Sequence, residues 1–201
     1  IIGVILSPML SAVVGTTAFM LGGLVAPNNY VLNLFTWWVG DAVGVLVVAP
    51  VIIIWAQQPF RKPKRRKLVE SVILVGVLLT VAWLIFGQGF GARSFYPLAY
   101  LIFPFLIWGA LRFDQRMVAT LTLVVSLVAV IQTSRSFGTF SHQMVWTSVL
   151  FLWAYMATMT VTAMLLAATL AENRRNERNA RVQEKRFSSA FHSAPVAFWL
   201  A

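Results

Sequence analysis

One carboxylate stands out by its position. Asp41 lies in Trp37-Trp38-Val39-Gly40-Asp41-Ala42-Val43-Gly44-Val45-Leu46, and no other charged residue occurs between Ile1 and Phe60. An acid this deep in an apolar segment costs about 2.5–3.5 kcal/mol on insertion scales, and such residues mark ligand, proton or ion contacts. Two readings follow. Asp41 contacts a ligand, proton or cation on the outward side of a helix bundle, or it is an internal cap that pairs with Arg93 or a hydroxyl of another helix and fixes packing. Gly40 and Gly44 form a G-x-x-x-G step, which lets helices approach closely. Under either reading that step turns Asp41 toward protein rather than lipid.

Other chemistry is sparse. Asn28, Asn29, Asn33, Gln88, Arg93, Arg135, His142 and Gln143 fall at the same end of the expected spans. They form a shallow ligand site or simply polar loops. His142 and His192 are expected on opposite sides of a membrane and cannot share a metal. The chain has no cysteine, which removes disulfides, thiolate chemistry and cysteine-ligated metal sites. It has no Walker motif, no G-x-S-x-G and no H-E-x-x-H. A single intramembrane acid builds no proton relay. No catalytic residue, metal or cofactor is expected in this chain.

The elements that must position Asp41 follow from the uncharged runs. Of the 201 residues, 59% are hydrophobic and 11% charged, and the mean hydropathy is +0.79. Soluble domains carry about 25% charged residues. Residues 1–34, 42–60, 71–92, 94–111, 117–134 and 136–171 hold no Asp, Glu, Lys or Arg. A helix needs roughly 20 apolar residues to cross about 30 Å of hydrocarbon. Six spans are expected, near Ile1–Leu24, Leu32–Ala56, Val69–Phe86, Phe95–Leu111, Met117–Thr133 and Met144–Leu170. The fourth is short and carries Pro97 and Pro104, so a kink or a re-entrant segment is expected there.

The net charge of +10 is read as membrane orientation rather than nucleic-acid binding, because the cations cluster at helix ends. With six spans, three regions share one side. They hold Arg61, Lys62, Lys64, Arg65, Arg66, Lys67, Arg112, Arg116, Arg174, Arg175, Arg178, Arg181, Lys185 and Arg186, which is 14 of the 16 Lys and Arg. The positive-inside bias puts that side, and the C-terminal end, in the cytoplasm. The run at 61–67 attracts anionic lipid and fixes topology, with docking of a protein partner as the lesser alternative. Trp37, Trp38, Trp83, Trp146 and Trp153 are expected at the outer interface as an aromatic belt.

Beyond Ala171 the texture changes. Residues 172–186 are dense in charge and Asn, and read as a helical linker carrying Glu172, Arg175 and Arg178. Residues 187–201 turn amphipathic. The chain starts Ile1-Ile2-Gly3 without methionine and stops at Ala201 inside what reads as a new domain, so a fragment is expected, with helices missing in front.

The stretch from Trp37 through Asp41 and Gly44 to Pro50 resembles the signature of the MASE1 domain, a bacterial integral membrane sensory domain. There, a helix carries W-x-G-D/E-x-x-G and then a proline before a cytoplasmic loop. Trp108-Gly109-Ala110-Leu111-Arg112-Phe113 resembles that family's turn after a Pro-containing helix. The resemblance covers about residues 1–172. It implies an all-α polytopic transmembrane bundle of about eight spans in the inner membrane, with one or two absent here. Phe187, Phe191 and Pro195 stand at the spacing of the F-x-x-x-F-x-x-x-P that opens many PAS domains. In such chains the output is a histidine kinase, a GGDEF diguanylate cyclase or an EAL phosphodiesterase. The expected division is therefore a sensory domain at 1–171, a signalling linker at 172–186 and the start of a PAS domain at 187–201. The lipid bilayer is the first expected partner, then a second copy of the chain through the linker and a further membrane protein. A transporter or channel, and a membrane scaffold, are the competing classes. Asp41, the Pro-interrupted span and the glycine-rich helices favour transport. The single deep charge and the PAS-like tail speak against it.

Overall fold

The structure is a computed structural model and describes residues 2–57, 65–87, 96–135 and 145–193. It contains helix and no strand among these residues, as the expectation of an all-α membrane bundle requires. Six α-helices follow one another: α1 Ile2–Leu21, α2 Tyr30–Gln57, α3 Arg65–Phe86, α4 Phe103–Arg112, α5 Gln115–Ser134 and α6 Val145–Ser193. Two 3-10 segments, Pro27–Asn29 and Tyr96–Ile102, lead into α2 and α4. Four helical segments are long and apolar enough to cross a membrane, and the apolar helices within 6–21 and 98–112 are shorter.

The short fourth segment shows how sequence solves a length problem. Seventeen residues of α-helix would rise about 26 Å. Winding Tyr96–Ile102 as a 3-10 helix, at about 2.0 Å per residue, brings the whole of Tyr96–Arg112 to about 29 Å. Both prolines sit where a missing N–H costs least. Pro104 occupies the first turn of α4, and Pro97 opens the 3-10 segment. Gly23, at φ +73°, supplies the left-handed residue that ends α1.

The core lies between α5 and its neighbours. α5 packs against α2, α3, α4 and α6, and Val118, Leu121, Val125 and Ala129 along it are fully buried. Leu74 and Leu78 of α3, Leu106 of α4 and Met159 of α6 complete this seam. Tyr155 of α6 donates to the carbonyl of Ala99 at 3.2 Å and meets Phe86 edge-on, which ties α6 to the 3-10 segment and to α3. Many large apolar side chains point outward instead, among them Leu10, Leu21, Ile52 and Val72. On a soluble protein so much exposed apolar surface would mark a binding face. Here it is the surface that lipid covers.

Glycine sets the spacing of α1, α2 and α6. A Cβ on Gly15 would stand 2.6 Å from the Trp37 ring, and one on Gly40 would stand 3.0 Å from the Trp153 ring. Each tryptophan is seated on the partner helix's glycine, and Phe19 closes over Trp37 with ring centroids 5.2 Å apart. Trp37 and Trp153 are thus packing wedges, whereas Trp83 and Trp146 are exposed as a belt would require. The G-x-x-x-G expectation holds at Gly40 alone, because a Cβ on Gly44 would meet nothing within 4 Å. Gly15→Val is therefore expected to destabilise the bundle by about 1–3 kcal/mol through overpacking, while Gly44→Ala is neutral. Thermal unfolding of the two variants in the same detergent checks this, and equal melting temperatures would contradict the packing described.

Candidate functional site

Asp41 sits about 17 Å along α2 from Tyr30 at 1.5 Å per residue, well away from either end of the helix. It lines an open groove of about 540 Å³ between α1 and α2. One wall is Ser7, Pro8 and Ser11 of α1, and the other is Gly40, Gly44, Val45, Val48, Ala49 and Ile52 of α2. The groove exists because α2 has no side chain at Gly44 and only a methyl at Ala49. Two prolines shape its walls. Pro50 cannot donate to the carbonyl of Leu46, nor Pro8 to that of Val4, so each helix can bend there.

The Asp41 carboxylate is partly exposed to this groove. It makes no hydrogen bond or ion pair among the described residues; the ion pairs there are Glu70 with Arg66 and Arg112. Arg93, the cation expected as a partner, lies outside the described residues, as do Gln88, His142 and Gln143. Of the remaining outer polar residues, Asn33 donates to the carbonyl of Asn29 one turn back. Among the described residues no group of three or more His, Asp or Glu could hold a metal. The arrangement supplies one acceptor with two hydroxyls opposite, set in an otherwise apolar trough. It can accept a hydrogen bond or a cation from a group that enters between α1 and α2. It offers no nucleophile–base pair.

At the other end of the bundle the charged residues form a second cluster. Arg112, in the last turn of α4, binds Glu70 of α3 through two parallel hydrogen bonds of 2.8 Å. Arg66 adds a 3.5 Å contact to the same carboxylate. Arg116 lies over the Trp55 ring at 5.3 Å, and the Trp55 Nε1 donates to Thr120 at 3.2 Å, which fixes α2 to α5. Arg174 of α6 donates to the carbonyls of Phe113 at 3.1 Å, Ala110 at 3.4 Å and Leu111. It thereby caps the carbonyls that α4 leaves free at its C-terminus. Of the linker residues expected to carry a signal, Glu172, Arg175 and Arg178 are all exposed on α6. The residue that attaches the start of the linker to the bundle is Arg174, which the sequence reading did not single out. Its only signal is position, as the first cation after the apolar run of α6.

The fold and this site define a polytopic helical membrane domain with one acid in an interhelical groove and a last helix that outruns the bundle. The MASE1 family model matches residues 1–174, and the chain belongs to the MASE1 family, a membrane sensory domain of signalling proteins. No curated protein and no solved structure matches the chain.

The lack of a described partner for Asp41 has a measurable consequence. Breaking a buried ion pair typically costs about 3–5 kcal/mol, whereas neutralising an unpaired acid relieves a burial cost. Asp41→Asn is expected to melt at the same temperature as the parent chain or above it in detergent. A drop of several degrees would reveal a structural partner for the carboxylate.

Proposed function

We propose that this chain is the membrane input region of a bacterial signal-transduction protein whose output is a histidine kinase or a cyclic-dinucleotide enzyme. Residues 1–171 form the sensory bundle, 172–186 the signalling linker, and 187–201 the start of a PAS domain. The observation that carries this reading is the continuity of α6. It runs 49 residues without a break, about 74 Å at 1.5 Å per residue, more than twice the roughly 30 Å of a hydrocarbon core. Its first half is packed into the bundle through Met156, Met159, Ala163 and Ala167. Its second half, from Arg175 to Ser189, is exposed throughout. A rigid rod anchored in one compartment and free in another is suited to passing a shift or a rotation across an interface.

The stimulus acts in the groove between α1 and α2, where Asp41 is the recognising group. A ligand shifts packing only by binding one arrangement of the helices better than another. Pro8 and Pro50, where a backbone hydrogen bond is missing, are the places where α1 and α2 can move against each other. Through Gly40 on Trp153, a movement of α2 reaches α6 directly.

All six helical segments cross the inner membrane, with the linker in the cytoplasm. The clustering of Glu70, Arg112, Arg116 and Arg174 at one end of the bundle supports that orientation. The exposed linker pairs with that of a second copy, along a seam of Ala180, Val182 and Phe187. A further membrane protein can share the lipid-facing sides of α1 and α3.

Two experiments test the reading in the native full-length protein with its own output. Asp41→Asn is expected to change output at equal membrane level; unchanged signalling removes Asp41 from the mechanism. For the linker, two residues inserted after Glu177 rotate everything beyond by about 200°, while seven residues restore the phase to within about 20°. The first insertion is expected to lock or invert the output, and the second to preserve it. Indifference to both would exclude rotation through α6.

A further inference from the structure

A pocket of about 220 Å³ lies where α6 leaves the bundle, beside the turn between α4 and α5. Its polar lining is Arg174, Arg175, Arg178 and Asn179 from α6 and Asp114 and Gln115 from the start of α5. Arg178 stands four residues from Arg174 and three from Arg175, one turn further along α6, and all three line the pocket. Arg174 is committed to the α4 carbonyls, which holds the pocket's rim in place. The Arg175 and Arg178 side chains have no hydrogen-bond or ion-pair partner among the described residues, and neither does the Asp114 carboxylate, although it lines the same space. Three guanidiniums and one carboxylate leave a net positive concavity.

The chemistry selects a class of occupant. A guanidinium presents a planar fork of donors that matches phosphate and carboxylate oxygens. At about 220 Å³ the pocket is smaller than the roughly 300–1,000 Å³ typical of drug-sized ligands, so a compact anionic head fits it. The side toward the bundle is apolar, formed by Ala110, Ala167 and Ala171. The uncharged runs of α5 and α6 end at this level, which is the depth of lipid headgroups. Asp114 offers an acceptor where a neutral hydroxyl beside the anion would sit. We propose that this pocket binds a phosphate-ester anion between the α4–α5 turn and the first exposed turn of α6. Occupancy fastens the base of the linker to the bundle. The inference stands on this geometry and does not need the sensory reading.

The test uses the full 201-residue chain purified in a neutral detergent, with thermal unfolding as the readout. Dioctanoyl phosphatidylglycerol, dioctanoyl phosphatidylcholine and inorganic phosphate are added at matched ionic strength. Phosphatidylglycerol is expected to raise the melting temperature by several degrees and phosphatidylcholine to leave it unchanged. The R175Q/R178Q variant is expected to lose the shift; both side chains are exposed and unbonded among the described residues, so the fold does not depend on them. If inorganic phosphate reproduces the shift, and R175Q/R178Q abolishes it, the site stands with a soluble phosphate as its occupant. If neither anion stabilises the parent chain, or if R175Q/R178Q responds as strongly as the parent, the site is overturned and the response belongs to other basic residues.

Discussion

Hydrocarbon provides no hydrogen bonds, and that constraint organises this chain. Every backbone N–H and C=O within the bilayer must be satisfied inside its own segment, which leaves helices as the solution for a single short chain. The consequences run outward from there. Helices in lipid gain little from burying apolar side chains against each other, because lipid is as apolar as leucine. Association then depends on close fit. In this bundle the fit comes from ring-on-glycine contacts, Trp37 on Gly15 and Trp153 on Gly40, and from the dense seam around α5. Interhelical hydrogen bonds add to this: Thr17 with Tyr30 at 3.0 Å joins the end of α1 to the start of α2, and Tyr155 ties the packed half of α6 to Ala99.

The same constraint separates the two charged regions by their contacts. At the basic end, charges find partners on other helices. Glu70 takes Arg112, Trp55 takes Arg116, and the free carbonyls of α4 take Arg174. These contacts fix α2 to α5, α3 to α4, and α4 to α6, so that end acts as a clamp. Asp41 is the opposite case, an acid in mid-helix facing a groove with no described cation in contact. An acid this deep in an apolar helix, with no cation in contact among the described residues, is a candidate functional group.

Much of this was legible in the sequence, and the reasons are physical. Uncharged runs locate helices because the cost of a charge in lipid is large, so the six segments fall close to their expected positions. Asp41 was legible for the same reason. What could not be read is pairing. Hydrophobicity is nearly uniform along these helices, so nothing in the residue order says that Gly40 meets Trp153 while Gly44 meets nothing. Trp37 and Trp153 read as interface tryptophans by their place in the span, and only the geometry shows them wedged between helices. Arg174 and Arg175 are adjacent and chemically identical. One donates to the α4 carbonyls and the other does not, a distinction set by about 100° of helix phase and by where α4 happens to end.

That phase relation bears on how the bundle and the linker can be coupled. A helix that merely passed through the membrane would be free to rotate and slide, and a signal arriving at its packed half would dissipate. Here α6 is held at several levels. Trp153 rests on Gly40 near the middle of the bundle, and Arg174 grips the end of α4. Between them Tyr155 donates to the Ala99 carbonyl, and Met159, Ala163 and Ala167 are buried in the bundle. At its lower level Arg174 donates to the carbonyls of Ala110, Leu111 and Phe113 together, which holds α6 against the end of α4.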